Sequence, residues 1–512
     1  MSSNKTSPLT ETSSFLTLQP VPALIGGTVL LETGRTFDVI RPDREAGPKV
    51  HSVVSCGPTE ATAAVDAAAA ALPAWKATSY TERRNIFLKA AELLRQRAEE
   101  YTKLTAEETP LDLAFAGFEI GGLAIPQLEE TAAVITQALK GEFPRIDASG
   151  KRELIQREPY GVVLGISPWN APFLLALRAI LNPLAAGNTC VLKTSEHSPR
   201  TNMACAQLLY DAGLPRGALS VVHSSPEDVV EVTRTLIRHP AVRKINFTGS
   251  TRVGRLIAAE AAQVLKPCVL ELGGKAPQIV LDDANIPLAA NNAIVGAFMN
   301  AGQICMATTI VIIDAKVEKE FLAEVTKIFR ENREALHYYA KGPSQQVRAL
   351  FSSASAKRAS EIVDDTLKQG AQVHAGEPNA VNVEKAQIPP MVISGTKPDM
   401  RLFIEEAFAP LLAVTSFTTD DEAVKLANRT SAGLAASVYG SNETRALQVA
   451  NQIESGQVHI NSITVHDHPT VPHGGWKESG YGRFNGIEGI KEFTQTRTIT
   501  MTQPSALPFF IL

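Results

Sequence analysis

The segment from Gly161 to Lys193 reads GVVLGISPWNAPFLLALRAILNPLAAGNTCVLK and predicts a strand, a helix and a second strand. Gly161–Ile166 and Thr189–Lys193 are short apolar runs, and the longer stretch Phe173–Ala186 between them is read as a helix. Such alternation is typical of a mostly parallel sheet whose helices cover its faces. The segment therefore predicts an α/β fold.

The same alternation continues along the chain and forms two sets. The first set adds strands at Leu219–His223, Lys244–Phe247 and Val269–Leu272, and helices at Arg200–Ala212, Pro226–Arg238 and Arg252–Val264. The second set has strands at Gln278–Leu281, Thr309–Asp314, Gln372–His374 and Leu411–Phe417, and helices at Leu288–Ala301, Val317–Glu331, Ala356–Gln369 and Thr419–Ala427. Gly273-Gly274 lies between the sets, so we expect a tight glycine hinge between two α/β domains.

The residues before Pro159 are predicted to form short strands and then helices. Strands are expected within Ile25–Ile40, and helices at Pro58–Ala71, Ser79–Glu100 and Leu111–Leu139. Ser79 and Glu82 have the spacing of a capping box, which favours a helix start at this point.

Composition excludes several classes of protein. The 512 residues suggest two or three domains, and 44% hydrophobic with 20% charged residues is ordinary for a soluble globular chain. A net charge of −4 provides no basic surface for nucleic acid or anionic lipid, and no apolar run is long enough to span a membrane. The five cysteines form no CxxC pair, so neither a disulfide framework nor a metal site is expected, and the cytoplasm is the predicted compartment.

The stretch Met299–Thr309, MNAGQICMATT, carries a cysteine in small and apolar surroundings. Cys305 can be read as inert core or as an exposed nucleophile, because a free cysteine is often buried. Glu271, 34 residues earlier, lies in the stretch VLELGGK. A thiol together with a carboxylate that activates water permits a two-step acyl chemistry.

Polar residues directly follow four strands of the first set. Parallel sheets bind ligands beyond the carboxyl ends of their strands, so these positions are candidate site residues. Each also has a structural reading: Asn170 as a helix cap, Lys193 and Glu196 as a solvated loop, and Gly249–Gly254 as a helix start. Four such endings on one sheet edge favour a binding site.

Six motifs, in this order along the chain, resemble the aldehyde dehydrogenase superfamily. They are SPWN at 167–170, KTSE at 193–196, FTGSTRVG at 247–254, LELGGK at 270–275, GQIC at 302–305 and EEAFAP at 405–410. The stretch from Val458 to Phe484 and GIKEFT at 489–494 resemble the branch that oxidises salicylaldehyde, vanillin and related aryl aldehydes.

The resemblance implies NAD(P)-dependent oxidation of an aldehyde to its acid. Cys305 would attack the aldehyde, and the Asn170 amide with the Cys305 backbone N–H would hold the oxyanion of the thiohemiacetal. Hydride transfer would leave a thioester, and Glu271 would activate the water that hydrolyses it. The implied fold has two Rossmann-like parallel-sheet domains, one for the cofactor and one for catalysis, plus a small β element for oligomerisation.

The resemblance also implies a cofactor site at the strand ends. The residues expected to line it are Ile166, Trp169, Lys193, Glu196, Gly249, Ser250, Glu406 and Phe408. Lys193 and Glu196 would hold the adenosine ribose and Glu406 the nicotinamide ribose. A carboxylate at Glu196 repels a 2′-phosphate, which favours NAD, with NADP as the alternative. Glu406 and Phe408 can also be read as a helix start and a core aromatic.

Two departures from the family motifs concern the cofactor loop and the substrate tunnel. Ala409 replaces a glycine of the cofactor loop and puts a methyl group in a tight turn, and His473 replaces the aromatic residue of PFGG, which in the family faces the tunnel. Leu174 and Arg178 share a helix face that by resemblance lines the substrate tunnel. A guanidinium and an imidazole there predict an aromatic aldehyde with oxygen substituents. In the alternative, Arg178 extends to solvent and His473 makes a backbone hydrogen bond.

The expected domains are a cofactor domain, a catalytic domain and an oligomerisation element. Residues 1–140 and 159–272 would form the cofactor domain, 141–158 an oligomerisation hairpin, 273–465 the catalytic domain, and 466–512 a return to the cofactor domain with an oligomerisation strand. The family implies a homodimer or homotetramer. Polar and branched residues alternate along Thr494–Met501. This pattern fits a strand that pairs with a neighbouring subunit, and it fits equally well an edge strand within one chain. The apolar residues 506–512 should be covered by other parts of the protein.

Three other functions stay open at this point. The chain could be a CoA-acylating member, a semialdehyde dehydrogenase, or a protein that keeps the fold without activity. Glu271 argues against the first, because that branch usually lacks the carboxylate. The joint presence of Cys305, Glu271, Asn170 and Lys193 argues against the last.

Overall fold

The computed structural model describes residues 6–7, 14–43, 48–144, 152–332, 336 and 349–502. Within these ranges, no helix combines the length and apolar character needed to cross a bilayer. The predicted apolar end at 506–512 and part of the predicted hairpin, 145–151, lie outside the described residues.

The amino-terminal region has short strands followed by helices, as the sequence predicts. The strands are β1 (Thr6–Ser7), β2 (Ala23–Ile25), β3 (Thr28–Leu30), β4 (Thr36–Ile40) and β5 (Lys49–Val54), and the helices are α1 (Pro58–Lys76), α2 (Tyr80–Gln96), α3 (Ala98–Glu108), α4 (Leu113–Gly117) and α5 (Ile125–Leu139). The capping box is confirmed, because Ser79 Oγ accepts from Glu82 N and Glu82 Oε2 accepts from Ser79 N. The predicted helix 111–139 is instead divided by a π-helical turn at Phe118–Ala124.

The first large sheet carries the strand–helix–strand unit. Its region contains β6 (Arg152–Pro159), β7 (Val162–Ile166), α6 (Pro172–Ala185), β8 (Thr189–Lys193), α7 (Pro199–Asp211), β9 (Leu219–Val222), α8 (Val229–Arg238), β10 (Val242–Thr248), α9 (Thr251–Ala262) and β11 (Cys268–Glu271). The parallel strands lie in the order β9-β8-β7-β10-β11. This is the Rossmann order 3-2-1-4-5, so the strand order reverses on either side of β7, where such sheets bind ligands.

The second large sheet follows the Gly273-Gly274 pair. Its region contains β12 (Ala276–Val280), α10 (Ile286–Phe298), β13 (Thr308–Asp314), α11 (Glu318–Glu331), α12 (Ser353–Lys368), β14 (Gln372–Ala375), β15 (Met391–Ser394), α13 (Arg401–Ile404), β16 (Leu411–Phe417), α14 (Asp420–Ala427), β17 (Ala432–Gly433), β18 (Ala435–Tyr439), α15 (Glu443–Ala450) and β19 (Gln457–Ile460). The strand order is β14-β15-β16-β13-β12-β18-β19, and every pair except β14 with β15 is parallel. The predicted α/β class with two parallel sheets is confirmed.

The carboxyl-terminal residues return to the first sheet. They form β20 (Trp476–Lys477), β21 (Gly480–Tyr481), α16 (Gly486–Lys491) and β22 (Thr494–Met501). Strand β21 pairs antiparallel with β11 through Glu271↔Gly480, so this return passes directly beside Glu271. Strand β22 pairs with β6 of the same chain over its full length and forms a separate two-stranded sheet.

Candidate active site

Cys305 follows a left-handed turn at the end of α10. Asn300, Ala301 and Gly302 have φ values of 50°, 53° and 71°, a conformation that costs energy for residues with a Cβ. A Cβ on Gly302 would lie 2.3 Å from the Ala409 carbonyl oxygen, so only glycine fits there. The turn breaks the helix and directs the thiol away from the helix axis.

Buried amide groups hold this turn in place. Gln303 Nε2 donates to the Ala349 carbonyl at 3.2 Å, and Gln303 Oε1 accepts from Phe351 N at 3.0 Å. Asn300 Nδ2 donates to the Asn170 carbonyl at 3.0 Å. The turn is therefore tied to both domains, which fixes the position of the nucleophile.

Cys305 and Glu271 are in direct contact. The Cys305 Sγ donates to Glu271 Oε1 at 2.8 Å, although the residues are 34 positions apart. Burial, together with the negative charge of Glu271, raises the pKa of the Cys305 thiol well above its ordinary value. Cys305 is half-buried rather than sealed in a core, and it is held here as a protonated thiol.

Glu271 is 1% exposed and lies between two cationic or ionisable side chains. Arg178 Nη1 is 3.9 Å from Oε2, and His473 Nε2 is 3.9 Å from Oε1. Burial by itself would raise the pKa of Glu271, but His473 and Arg178 together outweigh it and hold this pKa below its ordinary value. An ionised carboxylate next to a thiol can accept the proton of that thiol.

Arg178 is engaged by a second carboxylate. It is 2% exposed, forms an ion pair with Asp467, and lies over the Phe484 ring at 5.5 Å. Burial by itself would lower the pKa of Arg178, but the charges of Asp467 and Glu271 outweigh burial and raise this pKa above its ordinary value. Asn485 Nδ2 also donates to Asp467 at 2.7 Å. Arg178 does not extend to solvent, and its predicted contact with a substrate stays a prediction.

His473 is fully buried beside Glu271 rather than on the surface. Its backbone N and O both bond to Phe484, and its Nδ1 lies 3.1 Å from Gln457 Oε1. The backbone pairing was one of the readings from sequence. The imidazole lies against Glu271, and its contact with a substrate also stays a prediction.

Asn170 reaches the nucleophile turn from the end of β7. Its Nδ2 donates to the Gln303 carbonyl at 3.0 Å, and the side chain is buried. A side-chain amide has two N–H donors, so one remains for an oxygen placed at Cys305. The three residues named as catalytic from the sequence thus converge from three segments onto one turn.

The end of β8 presents a buried lysine. Lys193 Nζ, 4% exposed, donates to the Thr194 carbonyl at 3.1 Å and lies 3.9 Å from Glu196. Burial lowers the pKa of Lys193. Burial would raise the pKa of Glu196, but Lys193 and His197 lower it, so the carboxylate stays ionised. Ile166 ends the adjacent strand β7, so these side chains share one sheet edge.

Aromatic rings gather beyond this edge. The Trp169 ring stacks on Phe351 with centroids 4.0 Å apart, and Phe408 meets Trp169 edge-on at 5.8 Å. Phe408 has φ of +52°, whereas Ala409 is not in the left-handed region. The methyl group of Ala409, which the sequence suggested would crowd the turn, therefore causes no backbone strain.

Two further predicted residues begin α9. A Cβ on Gly249 would lie 2.5 Å from the Phe247 ring, and Ser250 Oγ accepts from Val253 N at 3.4 Å as the helix cap. Both therefore have structural roles. The open amino terminus of α9 also provides N–H groups suited to an anion.

Glu406 lies against the Gly273-Gly274 pair. Its Oε1 accepts from Gly274 N at 2.9 Å, and loss of water raises its pKa to about 7. The neighbouring Lys275 is buried, which lowers its pKa to about 7. A Cβ on Gly273 would lie 2.3 Å from Glu406 Oε2, so glycine is required for this contact. The predicted contact of Glu406 with a ribose stays a prediction.

An apolar cluster surrounds the thiol on its other side. It includes Leu111 and Phe115 from the α4 region, Met306, and the half-buried Val465, and it packs against Cys305. Leu174 is buried in a core cluster around the first sheet, and its predicted place in the substrate tunnel stays a prediction. The cluster provides a wall suited to an apolar or aromatic group.

Sequence reasoning missed several residues of this site. They are Phe115, Gln303, Phe351 and Asp467. None follows a strand of the first set, the positions at which parallel sheets bind their ligands. Asp467 stands between two histidines in HDH, but no spacing in the sequence connects it to Arg178. Among the described residues, no group of His, Cys, Asp and Glu could hold a metal ion.

Comparison with known proteins identifies the family. A profile described as Aldehyde dehydrogenase family matches residues 30–499. The vanillin dehydrogenase of Pseudomonas fluorescens is 41% identical over 482 residues, which cover 94% of this chain and 98% of that relative. The salicylaldehyde dehydrogenase of Pseudomonas putida is 38% identical over 471 residues, covering 91% and 95%.

Solved structures agree with this assignment. The salicylaldehyde dehydrogenase from Pseudomonas putida G7, complexed with salicylaldehyde, superposes with a TM-score of 0.89 at 35% identity, covering 95% of this chain and 99% of that one. An NAD-dependent aldehyde dehydrogenase from Sinorhizobium meliloti gives a TM-score of 0.89 at 32% identity, with 98% of both chains covered. The resemblance predicted from the motifs is confirmed: the chain belongs to the aldehyde dehydrogenase family, NAD(P)-dependent enzymes that oxidise aldehydes to acids.

Proposed function

We propose that this protein oxidises an aromatic aldehyde to the corresponding acid with NAD, through a thioester on Cys305. The observation that carries the proposal is the contact between Cys305 Sγ and Glu271 Oε1 at 2.8 Å, beside an apolar wall that includes Phe115. A nucleophile in contact with its base is the arrangement that covalent acyl chemistry needs.

In the first step, Glu271 takes the proton of Cys305 as the sulfur attacks the aldehyde carbon. The oxyanion that forms would accept from the second N–H of Asn170 and from the Cys305 backbone N–H. Asn170 is held for this task by its hydrogen bond to the Gln303 carbonyl. NAD, when bound, supplies the hydride acceptor that converts the thiohemiacetal into a thioester.

The residues that would hold NAD fit such a ligand. Lys193 has three donor protons at a buried position and only weak electrostatic contact with Glu196 at 3.9 Å, which leaves donors for ribose hydroxyls. The rings of Trp169 and Phe408, together with the start of α9 at Ser250, lie along the same side of the first sheet. Ile166, Gly249 and Glu406 would complete the groove.

In the second step, Glu271 deprotonates a water molecule that attacks the thioester. The carbon–sulfur bond breaks, the acid leaves, and Cys305 regains its proton. Because this step requires only water, the acid should form without coenzyme A. The pKa of Glu271, held below its ordinary value by His473 and Arg178, keeps the carboxylate ionised and able to accept a proton.

The substrate class rests on the apolar wall and on the relatives. Leu111, Phe115, Met306 and Val465 offer contacts that an aromatic ring can use. The relatives are named for vanillin and salicylaldehyde, which supports an oxygen-substituted ring. Arg178 gives no such support, because its guanidinium is paired with Asp467.

We further propose that the protein is a homodimer or homotetramer. Six residues of β22 are exposed, and the two-stranded sheet of β22 and β6 has an outer edge that a second copy can extend. Light scattering on the purified protein tests this: a monomer at micromolar concentration would contradict it.

The test of the proposed function is an absorbance assay at 340 nm with NAD and NADP. The panel compares vanillin, salicylaldehyde and benzaldehyde with straight-chain aldehydes, and Cys305→Ala is the blank. We expect the highest kcat/KM for the substituted aromatic aldehydes with NAD. Higher values for straight-chain aldehydes, or turnover only with coenzyme A to give an acyl-CoA, would overturn the proposal.

A further inference from the structure

His473 presents an unused nitrogen to the catalytic base. It is 0% exposed, and its Nε2 and Glu271 Oε2 are both buried without a hydrogen-bond partner among the described residues. The nearest approach is 3.9 Å, between His473 Nε2 and Glu271 Oε1. Closing this gap by about 1 Å gives a hydrogen bond. A buried polar atom without a partner is costly, so this arrangement requires an explanation.

The tautomer of the neutral His473 ring follows from the contact of its second nitrogen, Nδ1. Nδ1 lies 3.1 Å from Gln457 Oε1, an amide oxygen that can only accept. Nδ1 therefore carries the proton in the neutral ring. In that tautomer Nε2 is free to take up a proton, and the imidazolium so formed is the charged contact that lowers the pKa of Glu271.

The other charged groups around Glu271 cannot accept a proton from it. Arg178 is permanently cationic and is paired with Asp467. The pKa of Asp467 is held at about 2, against burial, by Arg178 and His473, so it remains ionised without serving as a base. His459, on β19, has a pKa lowered to about 4 by burial and by the nearby His466 and His473.

The proposed reaction needs such an acceptor because Glu271 acts as a base twice. It first takes the proton of Cys305. Neither the thioester nor NADH retains this proton, so it must leave the site. Glu271 must then be ionised again before it can deprotonate water. A proton that stayed on Glu271 would block hydrolysis of the thioester.

We propose that His473 takes the proton that Glu271 removes from Cys305 and so restores the carboxylate for hydrolysis. The inference rests on the proposed function. The proton passes from Glu271 to His473 Nε2, giving an imidazolium that loses it to solvent when the acid leaves. The proton that Glu271 then takes from water returns to the Cys305 thiolate as the carbon–sulfur bond breaks. His473 acts through Glu271 and does not contact the substrate in this scheme.

The test separates formation of the thioester from its hydrolysis. In a rapid-mixing experiment at 340 nm, His473→Phe should keep a burst of NADH of one per site, at a rate within about twofold of the wild type. Its steady-state kcat should fall about 10- to 100-fold, within the range of general acid–base effects. Turnover should recover as the pH rises, because hydroxide can then deprotonate Glu271.

Two further variants make the result decisive. His473→Gln is also without a titratable nitrogen, so it should show the same loss of kcat and carries the test if His473→Phe does not fold. His468→Phe changes an exposed histidine of the preceding loop and should behave as the wild type. The inference is overturned if His473→Gln keeps the wild-type kcat, or if burst and kcat fall in equal proportion without recovery at high pH. Absence of NADH formation by the wild type with every aldehyde of the panel would instead reject the proposed function.

Discussion

Replacing Glu271 with Gln isolates the effect of one charge on the nucleophile. The Sγ of Cys305 lies 2.8 Å from Oε1, and burial together with this carboxylate raises the pKa of the thiol. At 2.8 Å two unit negative charges repel each other by about 1.5 kcal/mol in bulk water and by about 6 kcal/mol at an effective dielectric constant of 20. The smaller energy corresponds to roughly tenfold in the ionised fraction. Glu271→Gln should therefore raise the thiolate fraction at neutral pH by about tenfold or more.

Alkylation by iodoacetamide measures this thiolate directly, because only the ionised sulfur reacts. Followed from pH 6 to 10 without cofactor, Cys305 in Glu271→Gln should react about tenfold faster than the wild type at pH 7. The midpoint of its pH profile should also lie lower. Aldehyde oxidation should nevertheless be nearly abolished, since the base is gone. Cys305→Ala accounts for alkylation of the other cysteines, and Glu406→Gln removes a more distant carboxylate and should have a smaller effect.

The result that refutes this reasoning is equally specific. Slower alkylation of Glu271→Gln at every pH would mean that the carboxylate promotes ionisation of the thiol in the free enzyme. An unchanged rate would mean that the contact at 2.8 Å is not maintained in solution. Either outcome would remove the observation on which the proposed function rests.

Four other substitutions test separate parts of the structure. Asn170→Ala should lower kcat/KM about 10²- to 10³-fold with little change in Tm, because an oxyanion donor is lost. Glu196→Gln should raise kcat/KM for NADP about tenfold, since the carboxylate no longer repels a 2′-phosphate. Gly302→Ala should lower Tm and activity together, because its Cβ would meet the Ala409 carbonyl at 2.3 Å. Asp467→Asn removes the main ion pair of Arg178, leaves it only the weaker contact with Glu271 at 3.9 Å, and should cost about 3–5 kcal/mol in denaturant unfolding. Because the folded pKa of Asp467 is about 2, below its ordinary 3.8, this difference should persist above pH 4 and shrink as the pH falls toward 2.

The central strands could be predicted because both of their faces are buried. In β7 and β8 every residue is buried, so each strand is a short continuous apolar run with clear ends. The edge strand β19 is half-buried throughout, and its sequence, QVHI, contains no continuous apolar run. It could therefore not be predicted in the same way. Strand β18 begins with two alanines, which have weak strand preference, and it was missed for that reason.

The site residues divide along similar lines. Cys305, Glu271 and Asn170 could be named because each is a chemically distinctive side chain in a recognisable motif. The position of Arg178 could not be predicted. Every residue of α6 is buried, so the periodicity of apolar residues does not show which part of the protein each face of the helix contacts. Its partner Asp467 lies 289 residues later, and only the folded chain brings the two together.

The charges around Glu271 explain why the free enzyme holds its nucleophile as a thiol. Arg178, Asp467 and Glu271 together carry one net negative charge in the interior, so a thiolate at Cys305 would add a second one. Transfer of a proton from protonated Glu271 to His473 adds no net charge, because the imidazolium and Arg178 then balance the carboxylates of Glu271 and Asp467. A positive charge placed beside the sulfur, such as that of an oxidised nicotinamide ring, would offset the thiolate. Attack on the aldehyde is thereby tied to the presence of the cofactor.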